Sequence, residues 1–406
     1  MRIKAILPVL LLAGVPALSR AQSLDECLEY AAAHSLRLRQ AELSAQKAQT
    51  LEKTAYEMSR TGLSLSQDPS SGGSPDNALT LSQDFDFPTV YSGRRKLLEA
   101  ATEVEKSQLA LTGSELRRDV SSAYCTLLLR RHICELLRKN AADAEEFFRI
   151  AQARFSAGAC RRTEVLSAAQ VKAENEIRLR EAENAQREAV LALKLLMNTE
   201  EDIIPTGSYT PVSESIREFR FSGTPEGLLS QSELELSRRN LTLASREGFL
   251  PTFSLGVRRQ MVIGGINPYG VDRSRFEGGN WMGFEAGLSV PIFFGAQRRK
   301  VAAARLDVEM ASAQLLERQR EADAALSSAA GKLAAARDTY AYYIGEALPQ
   351  AQELRSLSGV EYAGGHISYM EYMQNLSTAL QTELDGAQAA DALNQAIIEM
   401  NFIKGN

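Results

Sequence analysis

The feature that most constrains this chain is the stretch from Pro88 to Gly158. It holds no internal proline, and only Gly93 and Gly113 interrupt it before its end. Proline breaks helix interiors, so its absence over such a distance predicts one very long helix. Within it Leu116, Val120, Ala123, Leu127, Cys134, Leu137, Ala141, Ala144, Phe148, Ala151 and Phe155 follow alternating steps of four and three, with Arg130 alone breaking the register. That is a heptad seam, and a seam needs a partner helix. About seventy residues rise on the order of 100 Å, far beyond the few turns usual in a globular domain. No single compact core buries such a rod, so the rest of the chain must supply helices of similar length.

The chain opens with Arg2 and Lys4, an apolar run from Ala5 to Leu18, and the small residues Ser19 and Ala21. This pattern predicts a secretory signal peptide over residues 1–21, cleaved before Gln22. The apolar run is too short, and too marked by Pro8 and Pro16, to span a bilayer. No cysteine stands at the cleavage point, so no lipid anchor is expected there. Removing Arg2, Lys4 and Arg20 leaves 43 basic against 51 acidic residues, a formal charge of 43 − 51 = −8. An acidic chain with only local basic runs, such as Arg94 to Lys96, is a poor partner for nucleic acid. No later stretch reaches eighteen consecutive apolar residues, so any membrane crossing must be made by strands.

Two proline-rich zones carry a different period. From Ala78 to Phe87, Leu79, Leu81, Phe85 and Phe87 alternate with Thr80, Ser82, Asp84 and Asp86, and Gln83 interrupts the apolar row. Leu63 and Leu65 alternate with serines before it, across a Pro- and Gly-rich loop from Asp68 to Asp76. The second zone does the same: Phe253, Leu255 and Val257, then a loop from Gly264 to Asn280, then an apolar row Met282, Phe284, Ala286, Leu288, Val290, Ile292 and Phe294. Strands of about ten residues with one apolar and one polar face have the length and pattern of a transmembrane β-barrel. Aromatics near the strand ends, including Phe85, Phe87, Tyr91, Trp281, Phe293 and Phe294, suit an interfacial girdle. Four strands cannot close a barrel, and an open edge in lipid leaves backbone groups unpaired. Several copies must share one; three would give twelve strands and a lumen.

After the hairpins the halves of the chain match. Phe87-Pro88-Thr89-Val90-Tyr91 followed by Arg94-Arg95-Lys96 is echoed by Val290-Pro291-Ile292-Phe293-Phe294 followed by Arg298-Arg299-Lys300, so a proline is expected to open each long helix. The second rod, Pro291 to Tyr362, contains Pro349 and is expected to bend there. Phe155, Gly158 and Glu164 recur as Tyr362, Gly365 and Glu371, at a constant offset of 207 residues. The two glycines stand where a helix must reverse.

An aromatic, a glycine three residues on and an acid six residues beyond it, at the end of paired long helices and repeated with the hairpins in this order, resembles the outer-membrane efflux protein family, the TolC-like channels. The resemblance covers essentially the whole chain after the signal. It implies a mainly α protein with a membrane β-barrel portion: long coiled-coil α-barrel helices, four transmembrane strands per chain in two hairpins, and two internal repeats, 22–205 and 225–406, joined by a linker at 206–224 in an equatorial belt. It also implies a homotrimer in outer-membrane lipid with a long periplasmic extension, serving as the passive exit duct for an inner-membrane pump and a periplasmic adaptor. Glu164 to Asn198 would stack under Pro225 to Gly248, and His366 to Asn401 under Ser35 to Ser59.

On the same resemblance Glu371 and Glu164 match acids facing the periplasmic entrance, where a trimer would form carboxylate rings that concentrate cations. The plain alternative is a favourable charge near a helix start. Tyr362 matches an aromatic that helps hold the entrance shut. Ile367 and Gln374 stand where well-known members have a basic partner and a second acid, so fewer polar locks are expected here. Arg161, Arg162, Ser368 and Asn375, taken as exposed around the tip, are candidates for contacting the adaptor.

No catalytic constellation is present: His34, His132 and His366 are dispersed, and there is no phosphate-cradling loop and no paired-cysteine motif. The chain is expected to be no enzyme and to need no cofactor or metal. Cys27, Cys125, Cys134 and Cys160 read as small core residues; on one helix Cys125 and Cys134 would lie roughly 13 Å apart, too far for a disulfide. The competing function is a soluble periplasmic coiled-coil adaptor or scaffold, which leaves the four alternating strands unexplained.

Overall fold

A computed structural model describes residues 21–69, 75–206, 211–261, 281–364 and 366–405. The expected signal peptide up to Arg20, the stretch 262–280 that holds the second expected loop, and Gly365 lie outside them. Strand β1 (Ala21–Gln22) is followed by helices α1 (Leu24–His34) and α2 (Leu36–Glu52), strands β2 (Gly62–Pro69) and β3 (Pro75–Phe85), and helices α3 (Pro88–Ser156) and α4 (Arg162–Met197). Strand β4 (Ile204–Pro205) and helix α5 (Pro225–Glu247) lead to strands β5 (Thr252–Met261) and β6 (Trp281–Ser289), and then to helices α6 (Gly295–Tyr342), α7 (Leu348–Ala363) and α8 (Tyr369–Ile403). The chain divides into two compact units, each drawn from separated segments: 40–111 with 220–322, and the remaining residues. Helices α3 and α6 contribute to both.

The first of these units contains the large sheet. Its strands run antiparallel in the order β2, β3, β5, β6. The register places Leu63 against Leu81, Leu81 against Val257 and Val257 against Phe284, so that one face collects the apolar residues of all four strands. The opposite face is Ser64, Thr80, Arg258 and Gly283 and their like. The apolar face is uncovered: Leu63, Leu65, Leu255, Met282 and Phe284 are all exposed. The register also puts Arg259 on this face, between Leu79 and Met282; Gln83, which interrupts the β3 row, is satisfied locally. Its amide nitrogen donates to the Ser59 and Asp84 carbonyls (2.6 and 3.1 Å), and its oxygen accepts from the Thr61 hydroxyl at 2.6 Å.

Helix α3 starts at Pro88, as the sequence indicates, but Pro291 does not open α6. Residues 290–294 have no regular structure, and the first helical bond runs from the Arg298 N–H to the Phe294 carbonyl at 2.9 Å. The expected apolar strand row therefore ends at Ser289. The bulky, partly β-branched Ile292-Phe293-Phe294 run favours extended chain, and Phe294 is held by stacking on Phe249, with ring centroids 5.5 Å apart. Helix starts Pro88 and Gly295 stand 207 positions apart, as do helix ends Ser156 and Ala363 and the next starts Arg162 and Tyr369. The second rod is interrupted by a π-turn at Tyr343–Ala347, immediately before Pro349. Proline removes one helical bond and crowds the preceding turn, and the wider turn accommodates it.

The second unit is all-helical apart from the short β1 and β4 pair. Ser23 and Glu26 form a capping box at the start of α1. Cys27 and Ala31 then join Leu116, Val120, Leu127, Leu193 and Met197 in one core cluster. A second cluster holds Leu129, Cys134, Leu137, Ala182, Leu380 and Ala387. Most of the α3 seam is buried, and Arg130, at its break, is exposed; each buried leucine stabilises by about 1.5–3 kcal/mol. The irregular segment after residue 211 is strapped to α8 by two asparagines one heptad apart. Asn394 accepts from the Val212 N–H and Asn401 from the Ser215 N–H, both at 2.8 Å. None of the four cysteines forms a disulfide among the described residues; burial pushes the Cys27 and Cys125 thiols up to about 12, which disfavours the reactive thiolate.

Candidate functional site

The candidate site lies in the helical unit, at the reversals from α3 into α4 and from α7 into α8. The first reversal is made by the backbone. The Ala159 N–H donates to the Arg154 carbonyl at 2.8 Å and the Gly158 N–H to the Phe155 carbonyl at 2.9 Å, the paired bonds of a Schellman turn. Gly158 has φ +71°, a conformation in which a Cβ is strained. Arg161 occupies the cap position of α4 with no side-chain bond to the helix. Phe155, Arg161 and Arg162 are exposed, and Glu164 is half-buried in the first turn, where its charge suits the helix end.

The second reversal repeats a backbone bond of the first and adds side chains. The His366 N–H donates to the Glu361 carbonyl at 2.8 Å. Ser368 and Glu371 then form a capping box: the Ser368 N–H donates to Glu371 Oε2 at 2.7 Å, and the Glu371 N–H to Ser368 Oγ at 3.3 Å. The bonds from the Ser368 backbone and hydroxyl hold the Glu371 carboxyl below the usual carboxylate range.

An aromatic cluster fastens this turn. The Tyr362 ring stacks on Tyr372 with centroids 4.8 Å apart and planes at 12°. Phe147 meets Tyr372 edge-on at 4.9 Å. Arg154 Nη1 donates to the Tyr362 hydroxyl at 3.1 Å. Tyr369 packs with Ala151 and Ala168, and its buried hydroxyl has no partner; burial, with the nearby Tyr362 and Glu164, pushes its pKa up. Behind the cluster Arg355 binds Glu383 at 2.8 Å and approaches Asp143 at 3.8 Å.

The structure thus brings Tyr362 into an aromatic core and puts Ser368 and Glu371 together in one cap. Asn375, expected to be exposed, is half-buried and donates to the buried Ser358 hydroxyl at 3.0 Å, so it ties α8 to α7. The residues that sequence reasoning missed are Arg154, Phe147 and Tyr372. A basic partner for Tyr362 does exist, supplied by Arg154 and not by position 367. The signal for it was available, since Arg154 adjoins Phe155, the counterpart of Tyr362 at the 207-residue offset. Among the described residues no group of His, Cys, Asp and Glu side chains is placed to hold a metal ion, and no helix is long and apolar enough to cross a membrane.

Residues 18–199 match the family model of the outer membrane efflux proteins. That family consists of outer-membrane channels, not enzymes. Solved structures extend the likeness across the fold. The CmeC outer membrane channel of Campylobacter jejuni is 15% identical, with 94% of this chain and 85% of that one covered and a TM-score of 0.78. The MtrE outer membrane channel of Neisseria gonorrhoeae, in its open state, is 17% identical, with 94% and 89% covered and a TM-score of 0.76. The outer membrane protein VceC of Vibrio cholerae is 16% identical, with 94% and 96% covered and a TM-score of 0.73. At these identities the likeness is one of fold. No curated protein matches the sequence.

Proposed function

We propose that this chain is the outer-membrane channel subunit of a tripartite efflux or secretion system. The observation that carries the reading is the uncovered apolar face of a four-stranded sheet whose outer strands, β2 and β6, each pair on one side only. In lipid such edges must be satisfied by other strands. A homotrimer supplies twelve, enough for a barrel with a lumen. On this reading 22–205 and 225–406 are two repeats joined by 206–224, and the chain is a passive exit duct filled by an inner-membrane pump through a periplasmic adaptor. The two helix reversals form its periplasmic entrance. Tyr362, held by Arg154, narrows it, Glu371 and Glu164 line it with carboxylates, and the exposed Arg161, Arg162 and Ser368 meet the adaptor. Asn375 braces the turn from within.

The test is the native mass of protein extracted from membranes in mild detergent, followed by conductance in a planar bilayer. A conducting trimer is expected. A monomer or dimer released without detergent overturns the reading in favour of a soluble scaffold.

A further inference from the structure

The two basic triads that follow the hairpins are used differently. In the first, Arg94 is neutralised within the chain, by Asp86 at 3.1 Å and Glu247 at 3.2 Å, and Arg95 by Glu99 at 2.7 Å. In the second, Arg298, Arg299 and Lys300 are exposed and have no carboxylate within ion-pair distance among the described residues. They lie at the start of α6, the end of a helix where cations are disfavoured. The first turn of α6 has no acidic residue to offset that arrangement.

Directly before them, in the irregular segment past the end of β6, large apolar side chains stand exposed. Leu288 is followed by Val290, Ile292 and Phe293, which are 56%, 77% and 91% exposed. The segment is anchored where it meets α6: Phe294 stacks on Phe249, and Gln297 Nε2 donates to the Ala244 carbonyl at 2.5 Å. An exposed apolar segment continuous with a lipid-facing sheet, followed within one turn by three unpaired cations, matches the profile of a phospholipid: acyl chain first, phosphate next.

We propose that residues 290–300 form a binding surface for anionic phospholipid at the bilayer edge. Val290, Ile292 and Phe293 sit at the boundary of acyl chains and headgroups, and Arg298, Arg299 and Lys300 bind headgroup phosphates by charge-assisted hydrogen bonds. The proposal rests on the membrane-barrel reading above.

The experiment uses the full-length protein in mild detergent, titrated with phosphatidylglycerol or phosphatidylcholine, with retained lipid and oligomer mass read together by native mass spectrometry. The native protein is expected to retain phosphatidylglycerol preferentially. Arg298→Gln/Arg299→Gln/Lys300→Gln should lose about tenfold or more of that preference as an intact trimer, while Arg95→Gln/Lys96→Gln should keep it. An unchanged preference in the triple variant overturns the proposal. Dissociation of that variant into monomers assigns the surface to a second copy of the chain and overturns it too, and loss of the native preference in excess inorganic phosphate assigns it to a free anion. Failure of the barrel reading looks different: the native protein then leaves membranes without detergent and retains neither lipid.

Discussion

The two helix reversals share a backbone bond and differ in the side chains around it. Each takes five residues, 157–161 and 364–368, between a helix that ends and one that begins. At the first, backbone bonds and the positive φ of Gly158 make the turn, and the side chains of Phe155, Arg161 and Arg162 are left to solvent. At the second, the corresponding backbone bond from the His366 N–H to the Glu361 carbonyl is present too, and side chains add to it: Ser368 and Glu371 cap the returning helix, and Tyr362 is clasped by Tyr372 and by Arg154 from the first hairpin. The backbone bond is common to both turns, so what sets the second apart is a side-chain clasp that can be released while both helices stay intact.

The largest expected effect follows from removing the ring on which that clasp is built. Tyr372→Ala should destabilise the second hairpin by about 3–5 kcal/mol, as for loss of a buried aromatic. Hydrogen exchange should show amides at 361–376 opening while those of the Schellman turn at 154–159 stay protected. Equal loosening of both would break the comparison. Next, Gly158→Ala forces a side chain into the left-handed region and should cost about 1–2 kcal/mol, read as exchange confined to the first turn. Ser368→Ala removes the cap of α8 and should cost about 1 kcal/mol, with its effect confined to the second.

How much of this could be read beforehand depends on whether a feature is periodic or pairwise. The α3 seam, the four alternating strands and the glycine at 158 were legible because each is a pattern along the chain set by one helical or strand period or one backbone conformation. Arg154 on Tyr362 was not, since two residues 208 positions apart meet only because two hairpins lie side by side. Pro291 misled for a related reason. Its resemblance to Pro88 is local, whereas α6 begins at the position set by the 207-residue offset, where Phe294 stacks on Phe249 and Gly295 follows. Asn375 was expected at the surface from its position near the tip, but Ser358, buried near the end of α7, takes its amide.

The smallest expected effect on stability separates the two roles of Glu371. Glutamine also completes a capping box, so Glu371→Gln should leave α8 capped while removing the charge. In the native protein the carboxyl is held below its ordinary range by accepting from Ser368. Because the folded value is depressed, the stability it contributes is fully present above the ordinary carboxylate pKa and is lost as pH falls through the lowered folded value. Exchange at the start of α8 should therefore rise on acidification in the native protein and stay flat in Glu371→Gln. In bilayers at neutral pH the same variant should lose cation selectivity and divalent-ion block, because a ring of carboxylates at a narrow entrance concentrates cations only while charged. Selectivity and block that survive the substitution would leave Glu371 as a helix cap alone, and the difference between the two reversals would then be one of anchoring and not of ion passage.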